Sequence, residues 1–210
     1  MHIIKPKKVS NEFVEYKSPL DRLKSEDIEY HYFHNEKYKN INLFDIQLSH
    51  CIFSNIDIQD GKLEKITFSD TIFNNCDFSN TEFMDTSFIR CEFNNCKLAG
   101  CDLAENRLYN VAINETNCTY INLTMASMEN VLFKETSLRK GYFQETKIKN
   151  IYFENVDLRQ AQFFKTSLKN IDLSSSDIEG IAISLEDIKG AIIEQLQLMD
   201  LIYLLGVKLK

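Results

Sequence analysis

The chain has 210 residues, of which 44% are apolar and 26% charged, an ordinary globular composition that excludes disorder as its bulk state. Lys and Arg number 24 against 31 Asp and Glu, and the net charge of -7 argues against direct nucleic-acid binding and for a basic partner surface. With only six Gly and two Pro, a chain that turns often must do so without the customary turn residues.

Residues 1–40 open with lysines, glutamates and Pro6 and contain no apolar central block. That pattern is neither a secretory signal nor a membrane span and predicts a cytoplasmic protein with no membrane contact. Phe33 and Tyr38 keep the register of a repeat that follows, but His31 and Glu36 stand where that repeat wants a small residue. The segment is therefore read as an irregular N-terminal cap, with regular coiling from residue 41.

From Leu43 to Ile183 every fifth residue is apolar, 29 positions in a row with nothing inserted or lost: eleven Leu, eleven Phe, five Ile, Met128 and Cys118. Two residues before each of these centres stands a small or β-branched residue in 28 of the 29 cases, the exception being Asn106. An α-helix would rotate successive centres by about 140° and a strand would send alternate centres to opposite faces, so neither buries them all. Only a solenoid that bends at a fixed interval does. Six consecutive centres, Phe68 to Phe93, are phenylalanine, and their inward position makes them core rather than a base-stacking platform.

Cys51, Cys76, Cys91, Cys96 and Cys101 occupy the small position and Cys118 a centre, which predicts buried packing rather than metal or redox work. Cys76 and Cys96, twenty residues apart, are the one pair that stacked coils would bring close enough for a bridge. No CxxC, nucleophile elbow, dinucleotide fingerprint or phosphate-binding loop is present, and His2, His31, His34 and His50 form no metal spacing. Neither catalysis nor a cofactor or metal is expected.

The segments Cys76-Asp-Phe-Ser-Asn80, Thr81-Glu-Phe-Met-Asp85, Cys101-Asp-Leu-Ala-Glu105 and Val156-Asp-Leu-Arg-Gln160 resemble the pentapeptide-repeat family. The resemblance implies an all-β fold, a right-handed quadrilateral β-helix over residues 41–183 with four repeats per turn and about seven coils. Residues twenty apart then stack, one internal ladder reading Phe53, Phe73, Phe93, Ile113, Phe133, Phe153, Leu173.

On four such faces the outward charges are uneven. Two faces sum to -4 each, the third to -2, and the fourth, with Arg90, Arg107, Lys147, Lys149 and Lys169 against Asp70 and Glu129, to +3. The acids gather in a cluster of Glu82, Asp85, Asp102 and Glu105 and in a second ladder of Glu92, Glu115, Glu135 and Glu154, and a partner with a DNA-binding surface is expected there. The mimicry is dilute, since duplex DNA carries a charge about every 1.7 Å.

In residues 184–210, Ser184 with Asp187 three later reads as an N-cap, followed by a helical pattern that ends before Gly206. Its apolar residues lie on more than one side. Ile188, Ile192, Ile193, Leu196, Met199, Leu201, Leu204 and Leu205 are therefore expected to form a homodimer interface, with Val207 to Lys210 as a short pairing strand. The ending Leu196-Gln-Leu-Met-Asp-Leu-Ile-Tyr-Leu-Leu-Gly-Val207 is similar to the C-terminal dimerisation helix of the Qnr quinolone-resistance proteins. That resemblance implies a rod-shaped homodimer that binds DNA gyrase and topoisomerase IV and protects them from fluoroquinolones. The unbroken register leaves no room for the projecting loops that many Qnr proteins carry, so the chain is closer to the loop-less members. The other reading of the repeats is a structural or adaptor solenoid with an unrelated protein partner.

Overall fold

The computed structural model describes residues 4–6, 14–15, 20 and 27–206. At every fifth position from Tyr30 to Asn170 the backbone adopts a left-handed φ, between +49° and +68°. Fifteen of these 29 corners are Asn or Asp, whose short polar side chains tolerate that region best among non-glycines, and only Gly100 is a glycine. The scarcity of glycine follows directly, because the turning is done by a residue type the repeat already supplies.

A second device closes many of the corners. The Phe78 carbonyl accepts from the Thr81 N–H at 3.0 Å, Leu98 from Cys101 at 3.2 Å and Leu158 from Ala161 at 3.0 Å, each a tight turn with the left-handed residue third. At several of these turns an Asp or Asn before the centre supplies a cap. Asp77 Oδ1 accepts from the Ser79 N–H at 3.0 Å, Asp102 from Ala104 at 3.0 Å, Asn122 from Thr124 at 3.1 Å and Asp177 from Glu179 at 3.1 Å. The second letter of the repeat motif is thus a turn residue.

The strands are parallel and, from Asp27 on, pair with partners twenty residues away, as in Arg107↔Ser127↔Lys147 and Glu92↔Ala112↔Leu132↔Tyr152, while Val14–Glu15 pairs with His31–Tyr32 at a spacing of seventeen. Five strands of eight residues, Asn42–Ser49, Lys62–Ser69, Arg107–Asn114, Ser127–Lys134 and Lys147–Glu154, run round a corner without losing the ladder. The result is the expected parallel β-solenoid. Pairing begins at Val14↔His31 and ends at Asp172↔Ile192, so coils lie on both sides of the span 41–183 read from the sequence. At the early end Leu20, Ile28 and Phe33 are buried, and the Tyr38 hydroxyl accepts from the Leu20 N–H at 2.8 Å.

Of the 29 centres, 28 are buried and Ile148 is half-buried. Phe53, Phe73 and Phe93 stack with ring centroids 5.1 and 4.5 Å apart, while Phe68 and Phe78 meet Phe73 edge-on at 5.2 and 5.6 Å. These are the favoured aromatic arrangements, obtained by setting identical side chains on successive rungs and on adjacent walls.

The small position has its own chemistry. Thr81 Oγ1 donates to the Ile58 carbonyl at 2.8 Å, Thr146 Oγ1 to Leu123 at 2.8 Å and Cys101 Sγ to Phe78 at 2.8 Å. Asn106 follows the same rule: its Nδ2 donates to the Phe83 carbonyl at 2.6 Å and its Oδ1 accepts from the Thr86 N–H at 2.8 Å. The one residue that breaks the small-residue pattern is a satisfied polar link between coils.

The C-terminal segment differs from the expected helix. Ser184 does cap a turn, its Oγ accepting from the Asp187 N–H at 3.0 Å, but that helix is Leu185–Ile188 alone. Gly190 is left-handed at φ +85°, and the Ile192 N–H returns to the coil, donating to the Ile171 carbonyl at 2.9 Å while its own carbonyl accepts from Leu173 at 2.8 Å. Helical turns resume at Gln195–Gln197, Leu198–Leu201 and Ile202–Leu205 and stop at left-handed Gly206. A continuous helix over 184–206 loses because the last coil offers residues near 192 backbone partners that a helix would forfeit. Buried Gln197 fastens this cap, donating to the Leu173 and Ser176 carbonyls at 2.9 and 2.6 Å. Among the described residues no helix is long and apolar enough to cross a membrane.

Candidate protein-interaction surface

Glu82 and Asp102 stand on adjacent rungs in register, and Asp85 and Glu105 occupy the left-handed corners of the same two repeats. Together with Phe83, Met84 and Ala104 these four carboxylates line one shallow groove of about 300 Å³. Asp102 is held from both sides, Oδ1 accepting from the Ala104 N–H at 3.0 Å and from Asn122 Nδ2 at 2.9 Å. Glu82 is partly neutralised by Lys62, one rung before it, at 3.1 Å. Asp85 and Glu105 make no ion pair among the described residues. The groove is therefore acidic, with Met84 about half exposed beside the carboxylates.

The second acidic group does not form a single ladder. Glu115 and Glu135 stack on successive corners, but Glu92 lies in a different row, between Ile72 and Ala112, and Glu154 sits in register with Lys134. The reason is the repeat itself: only residues exactly twenty apart share a row, and 92, 115 and 154 differ by other intervals. These four side chains share a region of the surface but not a row.

Many charges answer one another across rungs. Lys97 meets Asp77 at 3.2 Å, Lys149 meets Glu129 at 2.6 Å and Lys165 meets Glu145 at 2.7 Å. Arg90 grips buried Asp70 with two bonds of 2.7 and 2.6 Å, which raises the Arg90 pKa, and His50 approaches the same carboxylate at 3.7 Å. Arg159 bridges Asp157 and Asp177, and its hydrogen bond to Asp157 lowers that carboxyl's pKa. Apart from the buried Arg90–Asp70 pair, these exposed pairs add little stability. What they change is the field, which is weaker than a count of acids suggests. A search at intervals of twenty finds all of these partners in the sequence except those of Arg159, which lie two and eighteen residues away, and it finds Lys62 as well.

Model regions for the pentapeptide repeat match residues 51–88 and 62–100, eight copies of the repeat, and a further pentapeptide-repeat region matches residues 86–163. Together these span more than half the chain. The protein belongs to the pentapeptide-repeat family. No curated protein matches it. Among solved structures it is similar to HetL, a pentapeptide-repeat protein involved in heterocyst differentiation regulation in the cyanobacterium Nostoc, at 16% identity over 81% of this chain and 90% of that one, with a TM-score of 0.43. It is also similar to trypsin-treated QnrB1, a plasmid-mediated fluoroquinolone resistance protein, at 17% identity over 95% of this chain and all of that one, again with a TM-score of 0.43. At such scores neither likeness adds to the family assignment.

Pentapeptide-repeat coils leave their ends to be covered, and here the apolar residues of the tail divide. Leu201 is buried, and Ile188, Ile193 and Leu204 pack half-buried on the core, so these four serve the cap. Ile192, Leu196, Met199 and Leu205 are exposed, by 52% to 79%. Beside them Leu185, Ala191, Leu198 and Ile202 help line an apolar groove of about 270 Å³. The pairing strand expected at Val207 to Lys210 lies outside the described residues.

Cys51, Cys91, Cys101 and Cys118 are packing residues. Burial pushes the Cys51 thiol up to about 11 and the Cys91 thiol up to about 12, and Cys101 and Cys118 are raised further, so none of these is a nucleophile at neutral pH. Among the described residues no group of three or more His, Cys, Asp or Glu side chains could hold a metal ion.

Proposed function

We propose that this pentapeptide-repeat protein is a binding module rather than an enzyme, and that its acidic groove engages the basic DNA-binding surface of a type II topoisomerase, DNA gyrase first and topoisomerase IV second. The observation that carries the reading is the convergence of Glu82, Asp85, Asp102 and Glu105 on one groove of a regular scaffold. Neighbouring rungs stand about 4.8 Å apart. The carboxylates are thus presented at a fixed spacing of the same order as the phosphates of one DNA strand, about 3.4 Å. The similarity of the C-terminal sequence to Qnr proteins supports the choice of partner, and with it a change in fluoroquinolone sensitivity. Two copies meeting through the exposed apolar tail would lengthen this surface.

The test is gyrase supercoiling against a titration of the protein, with and without an inhibitory dose of ciprofloxacin, beside a variant with Glu82, Asp85, Asp102 and Glu105 all changed to Lys. Rescue from the drug that the variant loses is the expected result; inhibition without rescue makes the protein a plain competitor for the DNA site. A gyrase that responds to neither protein refutes the reading. The rung-to-rung pairs, which neutralise Glu82, Asp77 and Glu145, favour the second reading, an adaptor solenoid for an unrelated partner, and that reading predicts that charge reversal in the groove is without effect.

A further inference from the structure

Six cysteines line the interior of the coil, yet only two have another cysteine as their neighbour on the next rung. Cys51 and Cys91 are separated by Thr71 on the intervening rung, Cys101 lies between Thr81 and Ile121, and Cys118 between Leu98 and Leu138. Cys76 and Cys96, by contrast, immediately precede Asp77 and Lys97, which pair in register. One strand spacing, about 4.8 Å, falls within the Cα separations of disulfides, about 4.4 to 6.8 Å. Both side chains point inward, with exposures of 1% and 3%.

The two thiols also interact directly. Cys76 Sγ donates to the Asn74 carbonyl at 3.4 Å and Cys96 Sγ to the Phe73 and Asn94 carbonyls at 3.5 and 3.4 Å, and the closeness of the two thiols lowers the Cys96 pKa while it raises that of Cys76 together with burial. Of the two, Cys96 is the more readily ionised. Both residues border a groove of about 400 Å³ together with Asn75, Asn95, Lys97 and Glu115, so one wall of the coil separates the thiols from solvent and a small oxidant reaches them when that wall opens locally.

We propose that Cys76 and Cys96 are a redox modification site, a dithiol that hydrogen peroxide closes to an intramolecular disulfide clamping two adjacent coils. The Cys96 sulfur attacks one peroxide oxygen, the O–O bond breaks, and the sulfur becomes a sulfenic acid as one water leaves. The Cys76 sulfur then attacks the Cys96 sulfur, the S–S bond forms as the S–O bond breaks, and the hydroxyl departs as a second water with the Cys76 proton. Two thiols and one peroxide become one disulfide and two waters. The product is a loop of about twenty residues closed across a ladder that is already paired, so the coil needs no new topology.

The full-length protein is treated with hydrogen peroxide at millimolar concentration, quenched, denatured and titrated for thiols, with the linkage read from unreduced peptides by mass spectrometry and the fold followed by circular dichroism. The expected count falls from six to four, with the bond between residues 76 and 96, unchanged β-sheet signal and reversal by dithiothreitol. In Cys76→Ser the disulfide is absent and a dimedone-reactive sulfenic acid accumulates at Cys96; in Cys96→Ser all five remaining thiols survive. Six thiols after treatment of a folded protein overturn the proposal. So does a bridge through Cys101 or Cys118 or between chains, or a loss of thiols that appears only with loss of the β-sheet signal.

Discussion

The middle coils and the C-terminal end are built from the same kinds of residue and come out differently. Between Phe68 and Phe93 every large apolar side chain at a centre finds a copy of its environment one rung away, and none is exposed by more than 3%. Between Leu185 and Leu205 the chain has as many apolar residues but no next rung, and Leu196 is left 79% exposed. Periodicity is self-satisfying in the interior because each coil is the solvent shield of its neighbours. The last coil must be shielded by something that is not a coil, and one short cap covers only part of the apolar surface.

The contrast is broken most severely by Phe78→Asp. A carboxylate placed among Phe73, Phe83 and their neighbours has no partner and no water, and the protein should fail to fold, seen as loss of the β-sheet circular dichroism or of soluble product. A folded Phe78→Asp protein would mean that the register is wrong.

Asn106→Ala comes next. It removes two short bonds and leaves the Thr86 N–H and the Phe83 carbonyl without partners in the core, at a cost of about 2 to 4 kcal/mol in a denaturant melt. Gly100→Ala tests the corner: at φ +68° an added Cβ would come within 2.5 Å of Asn80 Oδ1, and a loss of about 1 to 2 kcal/mol is expected. Leu196→Asp sharpens the comparison from the other side. It should leave the melting midpoint unchanged, within about 0.5 kcal/mol, and shift the sedimentation coefficient to that of a monomer. A destabilised Leu196→Asp monomer would show instead that this residue belongs to the cap.

The coil was legible because the repeat is reported at every fifth residue, so a single rule, apolar centre and small residue two before, is tested 29 times. The acidic groove was legible for the same reason, since Glu82 and Asp85 lie twenty residues before Asp102 and Glu105 and so fall on neighbouring coils. The second ladder does not follow from the face alone, because side chains on one face occupy separate rows, and Glu92, Glu115 and Glu154 stand in three. The pairing of Lys62 with Glu82 follows from the same spacing of twenty.

The helix of the tail failed for a physical reason. Apolar spacing and the Ser184 cap are local signals, and both are present, but residues near Ile192 had a choice between backbone partners within their own segment and backbone partners on the preceding coil. The sequence by itself determined the solenoid, because a burial period of five admits no regular helix or strand and the register repeats too often to slip. Only the tertiary structure decided where the coil stops, which carboxylates are neutralised and which thiols touch. Those outcomes depend on neighbours about twenty residues away, brought together only once the coil has closed.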